Sequence, residues 1–257
     1  MRHRAYLIAI IIILFCFSLG ILSALINRDL ETTSTPTPKP SPSPDKTRRT
    51  LLILGIDAFD KADPILMAIW FVIHRIPEEE VVLFGVPVNH EINDSESETL
   101  RSLFSYSMNE GISEDFLAAL TKAVPHIRHN YWAIMDENFF GTLVDFVGGV
   151  PVGEEYLDGE TVVAVQRLMK DKPDVLLQFQ AEMLSSLRSP IVTFDPTRVD
   201  VRPLTAMIPN NCLVSEDPSN LLLIARQVPI FTESAIRIEL MPSFGDLSTP
   251  PVLPRNQ

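Results

Sequence analysis

The chain has 257 residues, 46% of them hydrophobic, and carries a formal net charge of -12. This length and apolar content suit one medium-sized domain with a single core and some additional segments. The acidic balance argues against a nucleic-acid-binding surface, which depends on dense patches of Lys and Arg. We therefore expect no nucleic-acid partner, and we expect any bound anion to be held by a local group of basic residues.

The first segment is predicted to span a membrane. Residues 5–26 (AYLIAIIIILFCFSLGILSALI) are uncharged, and about 20 apolar residues are enough for a helix to cross a bilayer. Two arginines precede the run, so the positive-inside rule puts residues 1–4 in the cytoplasm and the rest of the chain outside. The alternative is a cleaved signal peptide with Ser18 and Gly20 before the cut, although the apolar run continues past them. Both interpretations export the bulk of the chain.

A linker, residues 27–50, follows the membrane segment. It is rich in Pro, Ser and Thr, with proline at every second position from Pro36 to Pro44. Such a run cannot pack a core and favours an extended polyproline conformation. We expect the folded domain to occupy residues 51–245 and the remaining residues, 246–257, to form a disordered tail.

Three short apolar runs open the domain and predict buried strands at residues 51–56, 65–73 and 81–86. The turn between the second and third runs contains Pro77 and three glutamates. A turn this short favours an antiparallel pair.

Helical signals follow. A capping box formed by Ser95 and Glu98 predicts a helix over residues 95–108, and Ser113 begins a second helix reaching about residue 124. Residues 131–135 read as a strand. Asp136 then caps a helix that Gly148 and Gly149 terminate.

The same alternation continues to the end of the domain. Asp158 caps a helix through Arg167, residues 172–187 predict a longer helix, the pair at 217–218 (Asp-Pro) opens another, and a late strand lies near Ile236. Strands interleaved with helices indicate an α/β fold. We predict a three-layer sandwich, with a central mixed β-sheet flanked by helices, preceded by one transmembrane helix.

Four segments resemble the LytR-CpsA-Psr (LCP) family. They are GID at 55–57, GVPVNHEI at 85–92, YWAIMDENFFGTLVDFVGGVPV at 131–152 and LDGETVVAVQR at 157–167. LCP proteins are bacterial, membrane-anchored, extracytoplasmic phosphotransferases that move a glycopolymer from a polyprenyl-pyrophosphate carrier to the cell wall. The resemblance implies a polyprenyl-pyrophosphate-linked glycan and peptidoglycan as partners, Mg²⁺ as cofactor, and a single-pass location in the bacterial cell membrane.

The resemblance also implies the site residues. In the family, an Asp after Leu-Gly-Ile is followed by an Arg-x-Asp-Thr element, and the corresponding residues here are Asp57 and the Lys61-Ala62-Asp63-Pro64 segment. Asp57 and Asp63 are the implied Mg²⁺ ligands, since carboxylates are suitable oxygen ligands for this ion. Lys61 and Arg167 are the implied pyrophosphate contacts, and Asp57, Asp63 and Arg167 the catalytic residues.

Several family arginines are missing. Residues 85–89 lack the Arg and Asp of the family's Ser-Ile-Pro-Arg-Asp element, residues 165–169 keep only Arg167 of two arginines, and residues 174–181 lack two more. Losing one preorganised donor to a developing anion typically costs about 3 to 4 kcal/mol of transition-state stabilisation. We therefore expect a weakened or inactive transferase, a pseudoenzyme, unless Arg75, Arg128 or Arg202 compensates.

Other interpretations remain open. Asp57 and Asp63 could simply end strands and cap turns, and Arg167 could be a surface residue paired with an acid. His126 and His129 are spaced for one helix face, but no third zinc ligand lies nearby in the sequence.

Three functions follow from different classes: the family transfer reaction, a non-catalytic binder of a polyprenyl-linked glycan, and an envelope scaffold or regulator. The apolar faces of FGTLVDFV and VLLQFQAEML could line a lipid groove, although amphipathic helices more often face a core.

Overall fold

The structure, a computed structural model, describes residues 48–75, 78–93, 96–108, 110–193, 207, 210–215 and 233–242. The predicted cytoplasmic N-terminus, the membrane segment, most of the linker, the helix expected at 217 and the C-terminal tail lie outside these residues. No helix among the described residues is long and apolar enough to cross a membrane.

Twelve strands are present among the described residues. They are β1 (Arg48–Ile56), β2 (Leu66–Arg75), β3 (Glu80–Val86), β4 (Glu91–Asn93), β5 (Glu96–Thr99), β6 (Tyr106–Ser107), β7 (Gly111–Ile112), β8 (Tyr131–Asp136), β9 (Val150–Val152), β10 (Glu155–Leu157), β11 (Cys212–Val214) and β12 (Ile236–Leu240). Six of them form a central sheet in the order β11-β8-β1-β2-β3-β12, and the others pair as β4-β5, β6-β7 and β9-β10.

The central sheet is mixed. β2 runs antiparallel to β1 and β3, which confirms the predicted antiparallel pair, whereas β8 runs parallel to β1 and β12 parallel to β3. β1 begins at Arg48, three residues before the predicted start of the domain. Because β1 and β8 are parallel and Ile56 pairs with Asp136, their carboxyl ends meet at one edge of the sheet. Such an edge is where open α/β sheets commonly bind ligands.

Helices lie between these strands. They are α1 (Leu100–Leu103), α2 (Glu114–Ala123), α3 (Glu137–Phe146), α4 (Gly159–Leu168) and α5 (Pro173–Thr193), with a short 3₁₀ turn at Glu233–Ala235. The predicted caps of α2, α3 and α4 are confirmed, since Ser113, Asp136 and Asp158 each accept a hydrogen bond from a main-chain N–H of the first turn.

The helices cover both faces of the sheet. Leu54 and Phe71 face one side and pack with Phe116 of α2 in one hydrophobic cluster. Trp70 faces the other side and packs with Val162 of α4, in a second cluster that also contains residues of α3 and α5. Alternation along the strands separates the two sets. This arrangement confirms the α/β class with a central mixed sheet flanked by helices.

The predicted helix over residues 95–108 is wrong. Its first part is strand β5, and α1 begins only at Leu100, capped by Thr99 and Ser102 in place of Ser95 and Glu98. β5 pairs with β4, and β6 pairs with β7. Strand pairing therefore overrides the local helical signal.

Candidate functional site

The candidate site lies at the sheet edge where β1 and β8 end. Asp57 directly follows β1, and Glu137 follows Asp136 at the end of β8 and begins α3. The register between the two parallel strands brings these positions side by side.

Asp57 organises the loop between β1 and β2. Its Oδ1 accepts hydrogen bonds from the main-chain N–H groups of Ala58 at 2.9 Å and Ile65 at 2.8 Å. Its Oδ2 accepts one from Lys61 Nζ at 2.6 Å. The main-chain N–H of Asp57 also donates to Ile65 O at 3.1 Å. Asp57, at the start of the loop, is therefore bonded to Ile65 at its end.

A second ion pair stands beside the first. Arg167 Nε of α4 donates to Glu137 Oε2 at 2.6 Å. The exposed fractions are 10% and 11% for the side chains of Asp57 and Glu137, but 52% and 59% for those of Lys61 and Arg167. The carboxylates are therefore largely covered, while the cationic groups face the solvent side, where a ligand can reach them.

These residues line an open cleft of about 280 Å³. We refer to it as the charged cleft, and it is lined by Asp57, Ala58, Lys61, Met67, Glu137, Arg167 and Lys170. Three cations face two carboxylates there, in a protein whose net charge is -12. The lining therefore has one more cation than carboxylates, a local charge opposite in sign to that of the whole chain.

Arg101 of α1 fixes the wall of the charged cleft. Its Nε donates to Leu66 O at 2.9 Å and its Nη1 donates to Lys170 O at 3.0 Å. Burial lowers the pKa of Arg101, with the charge of Asp171 opposing that shift. Arg101 thereby ties the start of β2 to the segment after α4.

An apolar cavity of about 170 Å³ adjoins the charged cleft and shares Met67 and Glu137 with it. Side chains of the sheet and of α3, α4 and α5 form its wall. They are Ile53, Gly55, Ile56, Met67, Ala68, Trp70, Val72, Leu83, Met135, Asp136, Glu137, Phe140, Leu143, Val144, Val147, Gln166, Gln180, Met183, Leu184 and Leu187. The apolar faces of α3 and α5, which the sequence suggests could line a lipid groove, do line a cavity.

The wall of the apolar cavity includes two buried glutamines. Trp70 Nε1 donates to Gln180 Oε1 at 3.1 Å, and Gln180 Nε2 donates to Gln166 Oε1 at 3.0 Å. Polar groups at such depth need partners, and here they supply them to one another. Apart from Asp136 and Glu137, the other residues of the wall are apolar.

The structure brings three of the four predicted site residues, Asp57, Lys61 and Arg167, to the charged cleft. Asp63 is exposed in the loop and is not among the lining residues. Glu137 and Lys170 were not predicted from the sequence, since only the pairing of β1 with β8 and the position of α4 bring them to Asp57.

The arginines considered as compensation do not line the charged cleft. Arg75 pairs in register with Arg48, at the opposite end of the sheet, and binds Glu80. Arg128 is not among the cleft residues, and Arg202 lies outside the described residues.

The role of Asp57 and Asp63 as Mg²⁺ ligands stays a prediction. The described residues contain no group of three or more His, Cys, Asp or Glu residues that could hold a metal ion. Both oxygens of Asp57 already accept hydrogen bonds, and Glu137 is paired with Arg167. As the side chains stand, Lys61 and Arg167 neutralise these two carboxylates, so Mg²⁺ would compete with both cations for the same oxygens.

We expect Asp57 to make stability depend on pH in the acid range. Burial acts to raise its pKa, but hydrogen bonds from Lys61, Ile65 and Ala58 outweigh it and hold the pKa below the ordinary value of 3.8. A lowered pKa stabilises the fold above the unfolded-state value, and this stabilisation is lost as pH falls through the folded-state value.

The measurement is urea unfolding of wild type and Asp57→Asn over a pH series. The advantage of wild type should shrink as the pH falls from about 5 to about 2. A constant difference across that range would contradict the prediction.

The comparisons with known proteins are informative at the level of the fold. Neither a protein-family model nor a curated protein sequence matches the chain. Solved structures do match, and TagV and TagT among them are LCP-family enzymes. The resemblance seen in the four sequence segments is therefore confirmed in the fold.

Three of these solved structures have TM-scores of 0.53 to 0.55 with this chain. TagV from B. subtilis matches with a TM-score of 0.55 and 14% identity, covering 77% of this chain and 85% of that chain. A Bacillus subtilis protein described as the transcriptional regulator yvhJ matches with a TM-score of 0.55 and 14% identity, covering 77% and 84%. TagT bound to LI-WTA matches with a TM-score of 0.53 and 16% identity, covering 76% and 78%. At these identities the likeness establishes the fold.

Proposed function

We propose that this chain binds a polyprenyl-pyrophosphate-linked glycan at the outer face of a bacterial cell membrane, anchored there by residues 5–26. The isoprenoid chain would occupy the apolar cavity and the pyrophosphate the charged cleft. The glycan would extend into solvent toward peptidoglycan. This is a cell-wall glycopolymer function of the LCP kind.

One observation carries the proposal: the apolar cavity opens beside the charged cleft, and the two share Met67 and Glu137. A ligand that fills both needs a hydrocarbon chain joined to a compact anion. The burial of each CH₂ contributes about 0.8 kcal/mol, whereas a charge in the apolar cavity is strongly disfavoured. The solved structure of TagT bound to LI-WTA supports this class of ligand.

Transfer of the glycan is proposed to be weak or absent. In the family reaction, an acceptor hydroxyl attacks the phosphorus that bears the glycan, a P–O bond forms, the pyrophosphate bridge breaks and polyprenyl phosphate leaves. The hydroxyl proton needs a base, and the lowered pKa of Asp57 makes its carboxylate a weak one.

The missing arginines support the same conclusion. Val88, which aligns with a family arginine, is buried in the hydrophobic core with 4% of its surface exposed. Position 88 therefore supplies no guanidinium group to the charged cleft. Arg167 and the ammonium groups of Lys61 and Lys170 remain to balance a pyrophosphate, and a lysine does not grip phosphate in two places.

Binding is tested by calorimetry with the full chain in lipid nanodiscs and geranyl pyrophosphate as the probe. We expect binding by wild type and a loss of about tenfold or more in Arg167→Gln, as for other hydrogen bonds to charged groups. Lys172→Gln is the matched control, because Lys172 is an exposed cation near α4 that does not line the charged cleft. Equal losses in the two variants would contradict a local role for Arg167.

Transfer is tested separately with a labelled polyprenyl-pyrophosphate glycan and peptidoglycan. Binding without transfer is expected, and rapid transfer would restore the transferase interpretation. If a folded wild-type protein does not bind the probe at all, the proposed function fails and the scaffold interpretation is favoured.

A further inference from the structure

We propose that the ammonium group of Lys61 takes the place of a divalent cation on Asp57, so that the charged cleft binds its pyrophosphate ligand without Mg²⁺. This inference rests on the proposed function and concerns how the same site neutralises phosphate. It departs from the metal that the family resemblance implies.

The loop holds Lys61 in this position. Asp57 accepts hydrogen bonds from Ala58 and Ile65 through Oδ1, which fixes both ends of the loop and directs Oδ2 toward Lys61 Nζ, 2.6 Å away. Lys61 thus places an ammonium group on the carboxylate oxygen that a metal would need.

The donor count of Lys61 suits a bridging role. An ammonium group has three N–H donors and no acceptor. One donor is used on Asp57 Oδ2, which leaves two for phosphate oxygens. The side chain is 52% exposed and lines the charged cleft, so the remaining donors are accessible to a ligand.

The other carboxylate of the charged cleft is also occupied. Glu137 Oε2 accepts a hydrogen bond from Arg167 Nε at 2.6 Å. Mg²⁺ prefers near-octahedral oxygen coordination and is usually held by one or two carboxylates together with waters and substrate phosphates. At Asp57 Oδ2 and Glu137 Oε2, Mg²⁺ would therefore compete with a cation that is already in place.

The test measures binding of geranyl pyrophosphate to the full chain in nanodiscs, once with EDTA and once with Mg²⁺. Wild type should bind with dissociation constants that agree within about threefold, a difference of less than 1 kcal/mol. Lys61→Met should bind about tenfold or more weakly in EDTA. Mg²⁺ should restore its binding, because Asp57 Oδ2 is then released for the metal.

Two controls define the result. The double variant Lys61→Met, Asp57→Asn should show no rescue by Mg²⁺, because the released carboxylate is gone. Lys172→Met removes an exposed ammonium outside the charged cleft and should behave as wild type. Circular dichroism of each variant checks that the fold is retained.

The outcomes separate this inference from the proposed function. Wild-type binding that EDTA abolishes would overturn the inference and leave the proposed function standing. Lys61→Met binding as tightly as wild type in EDTA would also overturn it. No wild-type binding with or without Mg²⁺ would overturn the proposed function, and the inference with it.

Discussion

Replacing Gly159 by alanine should lower the free energy of unfolding by at least about 3 kcal/mol, at or beyond the upper end of the usual cost of overpacking. An added Cβ would overlap Gly141 O and would lie 2.5 Å from Gly141 C. Both are main-chain atoms, so no side-chain rotation relieves the contact. Helices α3 and α4 must move apart, and both line the apolar cavity.

The measurement is urea unfolding followed by tryptophan fluorescence. Gly141→Ala is the matched control in the same interface, because its added Cβ would approach its nearest neighbours, Gly159 O and Val163 Cγ2, only to 3.3 Å. Its expected cost is about 1 kcal/mol or less. Alanine has a higher helix propensity than glycine by about 1 kcal/mol, so a stabilised Gly159→Ala variant would show that the contact does not govern stability.

The elements predicted correctly from the sequence are those with strong local signals. Asp136 and Asp158 predict the starts of α3 and α4, because a short acidic side chain caps the free main-chain N–H groups of a first helical turn. The apolar runs of β2 and β3 separated by a short polar turn likewise predict an antiparallel pair. These signals require no knowledge of distant contacts.

The elements predicted wrongly or missed depend on such contacts. The Ser95 and Glu98 pattern fits a capping box, yet the chain there pairs as β4 and β5, and Thr99 caps α1 instead. The three-residue strand β11 was also missed, because it is too short to show a period and is recognisable only by its pairing with β8. Tertiary pairing decides both cases.

The candidate site shows the same division. Asp57 and Lys61 are near in sequence, and their loop could be recognised as unusual between two buried strands. Glu137 and Lys170 reach Asp57 only through the parallel pairing of β1 with β8 and the packing of α4. Arg101 donates hydrogen bonds to main-chain carbonyl groups, and a sequence pattern does not predict such bonds. The missing family arginines predict a weak catalyst, whereas the ion pair between Arg167 and Glu137 follows only from the fold.

Replacing Leu184 by glutamate should abolish the contribution of the isoprenoid chain to binding. Leu184 is half-buried on α5 and lines the apolar cavity. A carboxylate there faces a hydrocarbon wall and the ligand chain, and burying it without a partner costs several kcal/mol. Affinity for geranyl pyrophosphate should fall about a hundredfold or more, toward that for inorganic pyrophosphate.

Calorimetry with both probes distinguishes loss of the apolar cavity from loss of the fold, since inorganic pyrophosphate binding at the charged cleft should persist. Val175→Glu is the matched control, because Val175 lies on the same helix, is 49% exposed and does not line the apolar cavity. It should bind both probes as wild type does. If Leu184→Glu leaves the affinity for geranyl pyrophosphate unchanged, the isoprenoid chain lies elsewhere, and the apolar cavity loses its role as the lipid site. If instead only the affinity for geranyl pyrophosphate falls, the apolar cavity binds the hydrocarbon chain and the charged cleft binds the phosphates. The two would then be parts of one site, as the shared residues Met67 and Glu137 imply.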